Sequence, residues 1–304
     1  MTRAHIRTQS AVLALACLIA CGCARAAPPD PAETDQRPLI ETSHVIAPER
    51  IDDFVLDSTS YNDANKYAGA GFRYALTGHP ETRIDIYVYP AGRMDEADAL
   101  ESGMSEFKAG LSQAEKDGYY RDMRVTAESE FPLHVSEATA HATDTNDGGH
   151  NSLDDEQAAI VRKLLEADRL AGRRLQLELV RLPQETPMLS AGYLFYKQLY
   201  FFKVRVSAAK HRIESTNFQA LADRAARTLV PAIEVANIGG CANAVITIDT
   251  NAPPQTVAGT LMAQAAIRQA DNCHEDETSI DLPGKSQGTR VIDIRFESSD
   301  WHAQ

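Results

Sequence analysis

The residues of this chain that could do chemistry are carboxylates, histidines and cysteines, and their spacing sets what each can be asked to do. Asp144-Thr145-Asn146-Asp147-Gly148-Gly149 imitates a calcium loop, with Asp144 at position one, Asn146 at three, glycine at six and Asp155 at twelve. The pattern breaks at Gly148 in position five and at polar Asn151 in position eight, and Asp155 is shorter than the bidentate glutamate such a loop uses. The stretch therefore reads as a plain solvated loop and no metal is assigned, with calcium at Asp144, Asn146 and Asp155 the alternative. The acidic runs Asp154-Asp155 and Glu275-Asp276-Glu277 would serve hydrolysis only if two carboxyls faced each other across a cleft, and neighbours in sequence read as solvated faces. The nine histidines are scattered, and the five from His44 to His150 fall mostly in polar or turn segments where exposure is expected. The sequence holds no G-x-S-x-G elbow, H-E-x-x-H, P-loop or dinucleotide fingerprint, so no catalytic residue and no cofactor is assigned. Tyr119, Tyr120, Tyr193, Tyr196 and Tyr200 are candidates for a binding groove, because tyrosine suits a surface with one wet end. About half of them are expected to alternate into the core instead.

The cysteines divide into two groups. Cys241 and Cys273 are an even pair far from the N-terminus, and a disulfide between them is expected; spacing for a redox C-x-x-C or a zinc site is lacking. Cys17, Cys21 and Cys23 sit in or just after an apolar run, Ala11 to Ala20, that follows Arg3, His5 and Arg7. That run is too short to span a bilayer and reads as a secretion signal over residues 1–20. Leu18-Ile19-Ala20-Cys21 resembles the lipobox of bacterial lipoproteins, which implies cleavage before Cys21 and lipidation of its thiol. Ala24-Arg25-Ala26 offers a competing cleavage site that would free a soluble protein beginning near Ala27. Residues 21–45 read as a disordered tether, rich in Ala, Pro and Asp without apolar period in the part before Pro38.

Charge bounds the partners. The chain carries a net −13, and losing Arg3 and Arg7 with the leader leaves 28 basic residues against 43 acidic ones, or −15. Such a surface argues against nucleic acid and against electrostatic adhesion to anionic lipid. With 43% apolar and 24% charged residues the mature part can build a real core.

The elements that would position any site follow from periodicity. Phe72, Tyr74 and Leu76, a turn at Gly78-His79-Pro80, and Ile84, Ile86 and Val88 predict a β-hairpin. Ala97, Leu100, Met104, Phe107, Leu111 and Ala114 form one buried face of a helix that ends at Gly118, and a strand is expected from Tyr119 to Phe131. Ser152 and Asp155 suggest a capping box for an inserted helix running to Gly172. Leu175, Leu177 and Leu179 mark a strand, and Tyr193 to Val206 is either a hairpin turning at Lys197-Gln198 or one bent strand. A capping box at Thr216 and Gln219 opens a helix that should stop at Pro231.

After a break at Ile238-Gly239-Gly240, a strand at Ala244–Ile248, a helix from Gln255 to Ala270 and a strand from Arg290 to Phe296 read as a small β-α-β unit. The expectation is therefore an α+β fold: an antiparallel sheet covered by helices over residues 46–236, with a C-terminal β-α-β unit over 240–304 docked on it. The element order over about 50–232 is similar to that of the PsbP-like proteins, which implies an accessory or binding role without chemistry. The expected protein is a cell-envelope protein facing the periplasm, joined to the membrane by a lipid at Cys21. It would bind an envelope protein or a small ligand, and a soluble periplasmic or secreted form is the alternative. A periplasmic hydrolase with a dispersed site is the competing function, to be recognised by convergence of three or more acidic or histidine side chains with displaced pKa values in one pocket.

Overall fold

The computed structural model describes residues 37–134, 169–243, 269–280 and 287–300, with a few isolated positions between 256 and 282. Asp144, Asn146, Asp155, Cys21, the leader, most of the tether, the inserted helix as far as residue 168, the strand expected at 244–248 and most of the helix expected at 255–270 lie outside them.

The described strands run in chain order as β1 (Thr42–Pro48), β2 (Arg50–Ile51), β3 (Phe54–Ser60), β4 (Ala70–Leu76) and β5 (Thr82–Pro90). Helix α1 (Glu96–Lys116) follows, then β6 (Tyr120–Glu130), β7 (Leu133–His134), β8 (Arg169–Leu170), β9 (Gly172–Arg181), β10 (Thr186–Lys197) and β11 (Tyr200–Ala209). Helix α2 (Ser215–Ala232) leads to β12 (Glu234–Ile238), β13 (Cys273–His274) and β14 (Thr289–Arg295). Eight strands form one antiparallel sheet in the order β2-β3-β4-β5-β11-β10-β9-β6, and four form a second in the order β13-β12-β1-β14.

Alternation assigns the two faces of the large sheet. Phe72, Ile86, Val204 and Tyr193 lie on one face, in a core that also holds Phe218, Leu221 and Leu229 of α2 and Val45, Val235 and Ile294 of the small sheet. Leu175, Leu177, Leu194 and Phe201 lie on the other, against Leu100, Met104, Phe107 and Leu111 of α1. Burying each large side chain of that stripe stabilises by about 1.5–3 kcal/mol, which is what holds α1 to the sheet. The hairpin β10–β11 turns through Gln198 and Leu199, both at positive φ, so the bent-strand alternative is excluded.

Several expectations are corrected. The architecture is β-rich, a large antiparallel sheet with few described helices; the layer opposite α1 is completed by the small sheet and α2 together, not by helices alone. The contact between the C-terminal segment and the rest is strand pairing: β14 pairs antiparallel with β1 from Thr42↔Arg295 to Pro48↔Thr289, and β1 pairs with β12, so one sheet draws on residues from both sides of the boundary expected at 236–240. The tether ends before residue 45, since Ile40 is buried and β1 starts at Thr42. Arg169–Leu170 is strand and Gly172 opens β9, so no helix reaches Gly172. Glu214 precedes α2 without a side-chain cap, and Pro231 sits inside its last turn, one residue before the helix ends, where no further turn has to follow the proline. Cys241 and Cys273 do come together at disulfide distance, with Cα atoms 5.9 Å apart, joining the turn after β12 to β13.

Candidate functional site

The site is positioned by how closely α1 approaches the sheet. Asp95 caps the helix by accepting a hydrogen bond from the Ala97 N–H at 2.9 Å, and Gly118, at φ +78°, ends it in a conformation that only glycine adopts without strain. Two further glycines set the spacing. A Cβ on Gly103 would lie 2.7 Å from Leu194 Cδ2, and one on Gly192 of β10 would lie 2.5 Å from the Phe107 ring. The helix is therefore drawn down until Phe107 rests on bare backbone.

Beside this contact the same sheet face opens into a groove of about 580 Å³, within the usual size range of small-molecule sites. Its floor is built from alternate residues of two central strands paired across the ladder: Arg83 opposite Ser207, Asp85 opposite Arg205, and Tyr87 opposite Lys203. Met188, Leu179 and Arg181 extend the floor, Phe107, Gly110, Leu111 and Ala114 of α1 form a wall, and Tyr120 closes one end.

Charge within the groove is unevenly matched. Asp85 accepts hydrogen bonds from Arg73 Nε at 2.8 Å and Arg83 Nε at 2.5 Å, one carboxylate serving two guanidiniums. Lys203 Nζ stands 5.2, 5.3 and 5.4 Å from the ring centroids of Tyr87, Tyr89 and Phe107, and the Arg205 guanidinium lies 4.9 Å from that of Tyr120. Among the described residues neither Lys203 nor Arg205 has an ion-pair partner; Arg205 makes one long contact, 3.5 Å, to Ser190 Oγ. Burial lowers the Lys203 pKa and neighbouring Arg205 lowers it further, with Glu106 on the wall opposing. Burial likewise pushes Tyr89 up to about 12, so its hydroxyl stays protonated and its ring neutral.

Three carboxylates, Glu81, Asp85 and Glu106, reach this space, and the first two are already engaged. Glu81 is held below its ordinary value, chiefly by its own backbone N–H and also by His79, and Asp85 is committed to its two arginines. A general acid needs a raised value, which burial without a cationic partner would supply. To a bound molecule the groove offers aromatic faces, an apolar wall and a caged ammonium.

Of the tyrosines singled out from sequence, only Tyr120 lines the groove. Tyr193 and Tyr200 are core residues, Tyr119 is exposed, and the Tyr196 hydroxyl pins the segment entering α1 by donating to the Gly92 carbonyl at 2.8 Å. His44 is buried at 1% exposure with its Nδ1 2.8 Å from Asp293, contrary to the exposed state expected of it. Glu275, Asp276 and Glu277 lie far in sequence from the groove and line no part of it, and among the described residues no group of three or more metal-ligating side chains gathers. Tyr87, Tyr89, Lys203 and Arg205 were missed. The available signal was the second face of two strands whose other face is almost wholly apolar: a central strand spends Arg83, Asp85, Lys203 and Arg205 only where that face is open. No protein-family model and no curated protein matches the chain.

Proposed function

We propose that this chain is an exported cell-envelope protein, tethered by a lipid at Cys21, that binds a small ligand in the groove beside α1 and does no chemistry on it. The observation that carries the ligand reading is Lys203: a half-buried ammonium among three aromatic rings, with no ion-pair partner among the described residues and Glu106 acting on it only from the wall, at the floor of a groove of ligand size. A charge desolvated in this way is unfavourable by itself and becomes favourable once a ligand completes its shell. The lowered Glu81 and the doubly engaged Asp85 favour binding over hydrolysis. The tether and the export rest on Leu18-Ile19-Ala20-Cys21 and the apolar run before it.

The test is a native mass spectrum of the protein extracted from membranes, recorded for the natural chain and for Gly110→Trp. A Cβ at Gly110 meets nothing within 4 Å and Gly110 lines the groove, so an indole there is expected to occupy it without disturbing the packing of α1. The expected result is a chain beginning at an acylated Cys21 that carries a small molecule which the variant lacks. An unmodified chain beginning near Ala27 overturns the tether, and identical spectra without bound mass overturn the ligand reading.

A further inference from the structure

We infer that the occupant of the groove is an organic monoanion with an apolar body, its acid group seated between Lys203 and Arg205; this rests on reading the groove as a ligand site. Lys203 and Arg205 stand two residues apart on the same face of β11. They repel one another in a half-buried place where water screens poorly, and neither has an ion pair among the described residues. A neutral or cationic ligand leaves that repulsion in place or adds to it. An acid group relieves it by accepting charge-assisted hydrogen bonds from both side chains.

The sign is also set by contrast with the rest of the molecule. A chain of net charge −13 gathers Arg83, Arg181, Lys203 and Arg205 around one groove, with Asp85 divided between Arg73 and Arg83. Glu81 and Glu106, which also line it, keep the excess small, which suits one negative charge better than two. The rings that cage Lys203 leave faces and edges toward the groove, and the wall at Phe107, Gly110 and Leu111 offers an apolar bed for the body of the ligand. An aromatic acid and a fatty acid share this chemistry.

Isothermal titration of the purified protein at pH 7 and low salt separates the cases, with naphthalene-2-carboxylate, decanoate and 2-naphthylmethylammonium as probes. At least one acid binds, the ammonium binds tenfold or more weakly, and which acid is tighter tells a ring from a chain. Lys203→Met weakens the acid tenfold or more, Lys203→Arg retains affinity within about threefold, and Asp85→Asn tightens it a few-fold by removing the one anion of the floor. An ammonium probe that binds as tightly as the acids, and is lost in Gly110→Trp, overturns the anion assignment while leaving the groove a ligand site. Failure of both acids to bind overturns the anion assignment as well. If, in addition, the natural chain carries no bound mass that Gly110→Trp lacks, the groove reading falls with it.

Discussion

Gly103 and Gly110 lie two helical turns apart on α1, and the same substitution should act oppositely at the two. Replacing glycine by alanine inside a helix gains about 0.5–1 kcal/mol from reduced backbone freedom in the unfolded chain. At Gly110 nothing lies within 4 Å of the new methyl, so the full gain is expected. At Gly103 the methyl would stand 2.7 Å from Leu194 Cδ2 and 2.8 Å from Phe201 Cε1, both in buried side chains at 0% and 5% exposure. Ordinary carbon contacts lie at about 3.5–4 Å, so the helix must lift by roughly 1 Å, an overpacking that costs about 1–3 kcal/mol. Because the propensity gain is common to both, the difference between the variants isolates that cost. Urea unfolding followed by far-UV circular dichroism should place Gly103→Ala about 1–3 kcal/mol below Gly110→Ala at unchanged m-value. Lifting α1 would also move Phe107 off Lys203, so Gly103→Ala should weaken ligand binding while Gly110→Ala leaves it nearly unchanged. Two variants equally stable, or Gly103→Ala the more stable, would refute the close approach of α1 on which the groove depends.

Other outcomes follow from the same structure. Lys197 donates to the carbonyls of Val230 at 2.8 Å and Ile233 at 2.7 Å, and burial lowers its pKa from 10.5 to about 7, with Glu234 opposing. The folded value lies below the unfolded one, so between pH 7 and 10.5 the unfolded chain holds more protons and stability rises with pH. Unfolding free energies from urea titrations at pH 7 to 9 should climb, by up to about 2–3 kcal/mol, and Lys197→Met should flatten the slope; a flat profile in the natural chain contradicts this. The pair Cys241 and Cys273 is 32 residues apart, and changing both to serine should cost about 3–4 kcal/mol in denaturant, whereas an unchanged midpoint would mean the bond constrains nothing. Tyr193 donates at 2.6 Å to Asp223, which also holds Arg174 at 3.0 Å, so Tyr193→Phe should destabilise by about 1.5–3 kcal/mol; a loss below about 0.5 kcal/mol would show the network to be dispensable.

Period was legible where one face of an element is buried. The stripe from Leu100 to Leu111 and the alternation through Phe72 and Ile84 were plain, because burial on one side leaves a clean 3.6 or 2.0 repeat. Strands β1 and β12 were not recognised as sheet, since Thr42–Pro48 is buried nearly throughout and alternation vanishes when both faces are covered. The joining of β14 to β1 spans the whole described chain, a pairing that no local pattern announces. The groove was half visible. Tyr120 was flagged for its chemistry, but Lys203 was read only as part of a β-branched and aromatic strand, because its importance lies in what β5 and α1 place around it.

The most direct test of the groove is an experimental structure of the protein as first purified, without added ligand, inspected above Lys203 Nζ and the Arg205 guanidinium. The expected result is an organic molecule with an oxyanion within hydrogen-bond distance of both and its body along Phe107 and Leu111. Ordered water alone over Lys203, with Arg205 turned away to solvent, would contradict the account.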